Sequence, residues 1–210
     1  MVNTSAFQGT VSEQSVRAHL TSSADIKKRV AEECTAAIVQ AAELIAKSVA
    51  GGGKILLCGN GGSAADCQHM AAEFVSRLTI DFVRPGIAAI ALTTDTSFLT
   101  AFTNDVHFDG VFARQVETLG RPGDVLIGIS TSGGSRNVVR AVESARAGGL
   151  SVVILAGEGG PLAAMADVAI CVPSRVTQYI QESHLAIEHI ICHLVERQVY
   201  PPEGHTGDSL

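Results

Sequence analysis

Residues 56–74 read LLCGNGGSAADCQHMAAEF, and this stretch decides the fold. An apolar run, a glycine loop and a helical pattern follow one another without a break, which is typical of a strand that turns directly into a helix. The helical part carries His69 and Glu73 four positions apart, so both side chains project from one face. The stretch therefore predicts a strand-loop-helix unit with a His/Glu pair beyond the loop.

Outward from this unit, short apolar runs alternate with helical stretches. Strands are predicted near 54–58, 87–92, 124–129, 151–155 and 168–172. Such alternation indicates parallel strands joined by crossover helices, and strands that are apolar on both faces indicate helices on both sides of the sheet. The predicted fold class is α/β, a three-layer sandwich with a five-stranded parallel sheet and long N- and C-terminal helices.

The ends of the chain differ in pattern from the middle. Residues 1–22 are polar and rich in Ser and Thr, which predicts a flexible N-terminal segment. Helical periodicity runs from Asp25 to the glycines at 51–53 and returns over roughly 178–198. We therefore expect one domain over 23–199 and a disordered tail over 200–210.

Composition narrows the class of protein. Of the 210 residues, 46% are hydrophobic and 17% charged, which predicts a large buried sheet or buried subunit contacts. The net charge of −6 and the lack of a Lys/Arg cluster argue against a nucleic-acid partner. An anionic substrate must then be bound by local groups.

Cysteine usage and hydropathy predict the compartment. The five cysteines are scattered and form no C-x-x-C pair, so neither a disulfide framework nor a cysteine zinc site is expected. No apolar run approaches the ~20 residues of a membrane span, and the first residues do not resemble a signal peptide. We expect a cytoplasmic protein with no membrane partner.

Two glycine- and serine-rich loops, 59–63 (GNGGS) and 130–135 (STSGGS), each follow a predicted strand and precede a helix. Ligands of open parallel sheets bind beyond the carboxyl ends of the strands. Glycines let backbone N–H groups approach an anion, and helix N-termini and serine hydroxyls add donors. The loops therefore predict a phosphate cradle without lysine.

Other interpretations of these loops are weaker. Ser63 and Ser135 could be ordinary N-caps, although two such loops in one chain make this less attractive. The first loop does not match G-x-G-x-x-G, so a dinucleotide site is not expected, and no Walker sequence is present.

Four motifs in order, GNGGSAADCQHMAAEF, LTAFTNDVHFDGVFARQV, GDVLIGISTSGGSRNVVRAV and IQESHLAIEHI, resemble the phosphoheptose isomerase family of the sugar-isomerase (SIS) group of folds. The resemblance covers roughly residues 25–199. It implies a flavodoxin-like five-stranded parallel sheet, a homotetramer with active sites at subunit interfaces, and a small-molecule sugar phosphate as substrate.

The resemblance also implies roles for individual residues. Sugar contacts fall on Asn60, Gly61, Gly62, Asn104 and Asp105, with further substrate contacts at Glu73 and Gln181. Phosphate contacts fall on Ser63, Ser130, Thr131, Ser132 and Ser135. One zinc ion per subunit is implied at His69, Glu73, Gln181 and His189, with Glu73 and His189 as the acid/base pair.

The spacing of these ligands leaves alternatives open. By spacing alone, a His/Glu pair at i, i+4 permits metal binding but is more typical of an exposed helix face, and the phosphate loop upstream and the family motif reverse that preference. His189 alone would suit a buried helix face. Gln181 and His189 are eight positions apart, about 12 Å along a straight helix. They reach one ion only by leaning together or if Gln181 lies at a frayed helix start; otherwise one of them serves a neighbouring subunit.

The implied reaction interconverts sedoheptulose 7-phosphate and glycero-manno-heptose 7-phosphate through an enediol, the first step toward nucleotide-activated heptose. We expect Glu73 to handle the proton at C1/C2 and His189 the protons on oxygen, although the two roles could be exchanged. Tyr179 stands where the family usually has a basic residue, for which Arg175 could substitute.

Two rival functions remain at this point. One is a non-enzymatic tetrameric SIS protein that binds the bacterial replication initiator, and the other is an isomerase or binding module for a different sugar phosphate. The first rival has no chemical need for Glu73 and His189 together.

Overall fold

The computed structural model describes residues 13–201. Its helices are α1 (Glu13–Glu33), α2 (Thr35–Ala50), α3 (Gly62–Val75), α4 (Thr96–Asp105), α5 (Val111–Leu119), α6 (Arg136–Ala147), α7 (Leu162–Met165) and α8 (Thr177–Val199). Its strands are β1 (Ile55–Gly59), β2 (Ala89–Ala91), β3 (Val125–Ser130), β4 (Ser151–Ala156) and β5 (Val168–Cys171). All five predicted strands are confirmed.

The strands form one parallel sheet in the order β2-β1-β3-β4-β5. This is the flavodoxin-like order, in which the chain reverses direction across the sheet between β1 and β3. Gly59 at the end of β1 is in register with Ile129 near the end of β3. The loops that follow these two strands therefore leave the same edge of the sheet as neighbours.

Alternate residues of each strand enter two separate cores. Leu57 and Ile127 pack with α2, α3 and α8 on one face of the sheet. Leu56 and Leu126 pack with α5 and α6 on the other face. Each of these side chains is fully buried, and complete burial of one such side chain contributes about 1.5 to 3 kcal/mol. The three-layer prediction is confirmed.

The N-terminal prediction was partly wrong. Residues 13–22, expected to be flexible, form the first half of α1; residues 1–12 lie outside the described part of the chain. The polar composition misled because polar contacts hold this helix: His19 Nε2 lies 2.8 Å from Glu182 Oε1 on α8, and the Ser23 hydroxyl donates to the same carboxylate. Polar contacts can thus anchor the first half of a helix whose second half packs on the core through Ile26 and Val30.

The predicted single helix from Asp25 to residue 50 is two helices, α1 and α2, with a break at Cys34. Thr35 Oγ1 donates to the carbonyl of Ala31 at 2.6 Å, a hydrogen bond to the preceding turn that tends to bend helices. At the other end, α8 begins at Thr177 and ends at Val199, close to prediction. Of the predicted tail, 202–210 lie outside the described residues.

Candidate active site

The two glycine- and serine-rich loops are joined by a pair of asparagines. Asn60 Nδ2 donates to Asn137 Oδ1 at 2.9 Å, and Asn137 Nδ2 returns a hydrogen bond to Asn60 Oδ1 at 2.8 Å. Asn137 is buried in the first turn of α6, and no motif in the sequence singles it out. The reciprocal bonds fix the spacing of the loops, and they occupy the side-chain amide of Asn60.

The first loop brings backbone rather than side chains to the sheet edge. Gly61 adopts φ +57°, a conformation that side chains disfavour, and is the N-cap of α3. A Cβ on Gly59 would lie 2.8 Å from the carbonyl oxygen of Ser63, so the turn closes tightly only with glycine there. Ser63 lies inside the first helical turn and is buried, which makes its interpretation as an N-cap wrong.

The second loop gathers hydroxyl groups. Ser130 Oγ lies 2.9 Å from Ser135 Oγ and 3.4 Å from Ser132 Oγ. Ser135 occupies the N-cap position of α6 but its side chain makes no capping hydrogen bond. The carbonyl of Thr131 accepts from Gly157 N at 3.2 Å, which fixes the loop against the end of β4. Clustered hydroxyls beside an uncapped helix start are the arrangement expected of an anion site.

His69, Glu73 and His189 converge between α3 and α8. His69 Nε2 lies 2.8 Å from His189 Nε2 and 3.7 Å from Glu73 Oε1, and the imidazole centroids are 5.0 Å apart. All three side chains are half-buried. The predicted acid/base residues therefore contact the same histidine within one chain.

Gln181 lies apart from this cluster. A Cβ on Gly62 would collide with the Gln181 side-chain amide, which places that amide at the start of α3. His189 instead lies beside His69, so α3 and α8 run side by side in the same direction. Gln181 is therefore about 12 Å before His189 along α8, next to the phosphate loops.

The donor types at the cluster suit zinc, because two imidazole nitrogens and one carboxylate are common zinc ligands. As they stand, however, no three His, Cys, Asp or Glu side chains within residues 13–201 are arranged around a metal position. The imidazoles of His69 and His189 face each other directly. The side chains of His69, Glu73 and His189 are chemically suited to bind zinc. In this structure His69 and His189 are joined by a hydrogen bond instead.

Asn104 and Asp105 lie at the C-terminal end of α4. Both are exposed, and Asn104 Nδ2 donates to Asp105 Oδ1 at 2.9 Å. The other end of α4 is nearer the loops, because Thr93 Oγ1 just before it donates to the carbonyl of Ala64 on α3 at 3.3 Å. The predicted sugar contacts are thus on an element adjoining the site.

Tyr179 and Arg175, named above as a difference from the family pattern, each contact another side chain. The Tyr179 ring lies 5.0 Å from the His19 ring of α1. Arg175 Nε lies 3.2 Å from Glu158 Oε2, with most of its side chain exposed. Tyr179, at the position for which the resemblance implies a basic residue, therefore makes an aromatic contact to α1.

Two buried titratable groups on α8 lie under the site. Burial, with a smaller contribution from the charge of Asp66, raises the pKa of Glu188 to about 8. Burial lowers the pKa of His184 to about 4, although its hydrogen bond to the carbonyl of Ala156 opposes the shift. His184 supports the end of β4 next to the second loop.

Together these features define an α/β protein of the sugar-isomerase type, with a phosphate cradle at the carboxyl edge of its sheet. The family model of the SIS domain matches residues 18–157. The phosphoheptose isomerase of Roseiflexus sp. (strain RS-1) is 53% identical over 179 residues, covering 85% of this chain and 90% of that protein.

Two solved structures are similar over most of their length. A phosphoheptose isomerase from Neisseria gonorrhoeae has a TM-score of 0.82 and 46% identity, covering 87% of this chain and 97% of that one. One from Francisella tularensis has a TM-score of 0.84 and 36% identity, covering 88% and 97%. The chain belongs to the phosphoheptose isomerase family.

Proposed function

We propose that the protein isomerises D-sedoheptulose 7-phosphate to D-glycero-D-manno-heptose 7-phosphate, the first step of nucleotide-activated heptose biosynthesis. The observation that carries this proposal is the convergence of Glu73 and His189 on His69, on the helix whose first turn borders the phosphate loops. The named relatives favour the same activity. The chain is an aldose-ketose isomerase.

The reaction moves a carbonyl between C2 and C1. It needs a base for a carbon-bound proton, an acid for oxygen, and a fixed orientation of the sugar. His69 is seven residues beyond Gly62, about 10 Å along α3, a span comparable to an extended seven-carbon sugar phosphate. A phosphate held by the serine loops would place the far end of the sugar at the cluster.

The residues divide the work accordingly. Ser63, Ser130, Thr131, Ser132 and Ser135 would hold the phosphate. Asn60, Gly61, Gly62, Asn104, Asp105 and Gln181 would contact the sugar. Glu73 would carry the proton between C1 and C2, and His189 would exchange protons with the oxygens. The exchanged assignment, with His189 at carbon and Glu73 at the oxygens, is the alternative.

We further propose one zinc ion per subunit, held by His69, Glu73 and His189 of one chain. Because Gln181 of that chain lies about 12 Å from His189 along α8, the fourth ligand, Gln181, would come from a neighbouring subunit. When bound, the ion would polarise the sugar carbonyl as a Lewis acid. Its support is the donor set, in which two imidazole nitrogens already lie 2.8 Å apart. Metal analysis of purified protein should give about one zinc per chain, and His69→Ala should lower that ratio.

The chain is proposed to act as a homotetramer in the cytoplasm, with sites completed at subunit interfaces. An apolar groove of about 560 Å³ runs between α1, α2 and α8, lined in part by Val39, Ile187 and Ile190. Val39 and Ile190 are well exposed, which is unusual on a helix that packs on a core. No helix among the described residues could cross a membrane.

The experiment that tests the function compares seven-, six- and five-carbon ketose phosphates, with and without chelator. Turnover of the seven-carbon substrate at least ten times faster than the others is expected. Preference for a shorter sugar would favour the rival isomerase. Binding of the replication initiator without turnover of any sugar would favour the non-enzymatic rival, which the relatives do not support.

A further inference from the structure

One buried ion pair lies directly behind the acid/base residues. Arg84 Nε lies 2.9 Å from Glu196 Oε2, and the two side chains are 1% and 0% exposed. Arg84 follows α3 along the chain, whereas Glu196 is on α8. The pair therefore links the two helices that carry Glu73 and His189.

Arg84 also binds the end of α3. Its Nη2 donates to the carbonyl of Glu73 at 2.8 Å, and its Nη1 donates to the carbonyl of Phe74 at 2.8 Å and that of Pro85 at 3.0 Å. The last carbonyls of a helix lack partners within it and carry partial negative charge, so a guanidinium is well suited to them. The backbone of Glu73 is thus held by a buried cation.

The contacts form a closed circuit. From Glu73 the path runs through Arg84 to Glu196, then seven residues back along α8 to His189. Seven residues are two helical turns, so Glu196 and His189 lie on the same face of α8. His69 then connects His189 back to Glu73. Movement at any one of these points would alter the spacing between the acid and the base.

We propose that Arg84 and Glu196 are positioning residues for the isomerase reaction, which set the distance between Glu73 and His189 by clamping the end of α3 to α8. This inference rests on the proposed function. Buried ion pairs are poor sources of stability, because well-packed apolar residues often replace them without loss. Fixing geometry accounts for a pair that stability does not require.

Arg84→Lys is the first test, because lysine keeps the charge but cannot reach Glu196 and two carbonyls with a planar fork. We expect kcat to fall about 10- to 100-fold, the scale of a displacement of about 1 Å, while KM changes less than threefold. Glu196→Gln keeps a hydrogen-bond acceptor for Arg84 Nε, so kcat should fall by a smaller factor in this variant.

Lys54→Met is the matched control. Lys54 forms a largely buried ion pair with Asp124 at the opposite edge of the sheet, with Nζ 2.5 Å from Oδ2. It should lower the midpoint of urea unfolding as much as Arg84→Lys does, yet leave kcat within twofold. An equal loss of kcat in both variants, or an unchanged kcat in Arg84→Lys, would overturn the proposal.

The double variant Arg84→Met/Glu196→Leu separates position from stability. Replacing both charges should restore most of the unfolding midpoint, while kcat stays low because the carbonyl of Glu73 has lost its donor. A stable double variant with normal kcat would refute the clamp, and this variant also covers the case in which Arg84→Lys does not fold.

Hydrogen exchange keeps the test independent of the substrate. Amides in the last turn of α3 should exchange faster in Arg84→Lys than in the unaltered chain. In Lys54→Met their exchange rates should be unchanged. If the unaltered chain isomerises no heptose phosphate, the proposed function fails. In that case the hydrogen-exchange rates alone test whether Arg84 holds the end of α3. Equal rates for these amides in Arg84→Lys and Lys54→Met would exclude that role.

Discussion

The two edges of the sheet are built from similar residues and differ in how those residues are paired. Both edges have glycine-rich turns at which strands meet helices. At the amino edge, Asp124 accepts hydrogen bonds from Lys54 N at 2.9 Å, Lys54 Nζ at 2.5 Å and Arg121 N at 2.8 Å. At the carboxyl edge, the serine hydroxyls of the second loop contact one another, and the side chain of Ser135 makes no capping hydrogen bond at the start of α6.

The hydrogen bonds at the amino edge affect the pKa of Asp124. Burial acts to raise the pKa of Asp124, but the hydrogen bonds and charge of Lys54 outweigh it and lower the pKa below its usual value. A cavity of about 1170 Å³ lies at the amino edge, so a large cavity does not by itself mark the candidate active site. Polar groups whose partners are supplied internally stabilise the fold, whereas groups left available can bind a ligand.

The largest expected effect is at the carboxyl edge. Glu73→Gln and His189→Gln should each lower kcat by about 10²- to 10⁴-fold, because proton transfer loses its acid or base. Glu43→Gln, an exposed carboxylate that lines the amino-edge cavity, is the control and should leave kcat within twofold. Steady-state kinetics with sedoheptulose 7-phosphate measures this, and near-normal rates in either test variant would contradict the assignment.

Asp124→Ala tests the amino edge. It leaves the ammonium of Lys54 and two backbone amides without their acceptor, so the free energy of unfolding should fall by about 2 to 3 kcal/mol. The turnover number should stay within twofold. Urea unfolding monitored by circular dichroism gives the first quantity. Asp25→Ala, which removes an exposed ion pair with Lys28, should cost under about 1 kcal/mol.

A third prediction concerns pH and His184. With a folded pKa of about 4 and an unfolded value near 6.5, only the unfolded chain takes up this proton between those pH values. His184 therefore contributes a loss of stability as the pH falls, about 2 kcal/mol between pH 7 and 5. In His184→Gln, the free energy of unfolding should therefore fall by about 2 kcal/mol less between pH 7 and pH 5 than it does in the unaltered chain.

Urea unfolding at the two pH values measures this difference. The exposed His107, replaced by glutamine, is the control and should leave the interval unchanged. Equal pH sensitivity in the unaltered chain and His184→Gln would show that the buried imidazole titrates normally.

The smallest expected effect concerns one hydroxyl of the cradle. Ser135→Ala should raise KM about five- to tenfold, near 1 kcal/mol, and leave kcat within twofold, because phosphate binding is remote from the proton transfer. Ser144→Ala is the control on the same helix, where the hydroxyl donates to Glu117 at 3.1 Å. If both variants share one KM, the hydroxyl cluster around Ser130 does not bind the phosphate.

The sequence by itself determined the sheet and the loops. Strand runs such as VLIGI and VVIL are local patterns, and their apolar character on both faces requires helices on both sides. The loops at 59–63 and 130–135 could be found because glycine and serine serve particular backbone conformations. Residues 13–22 were misjudged because Glu182, their partner on α8, is distant in sequence.

Only the tertiary structure decided which residues meet. The sequence placed Gln181 and His189 on one helix. The parallel packing of α3 and α8 puts Gln181 beside the start of α3 and His189 beside His69. Arg84 and Asn137 carry no local signal, since their partners are 112 and 77 residues away. Side-chain pairing across elements depends on helix register, and helix register is set by packing.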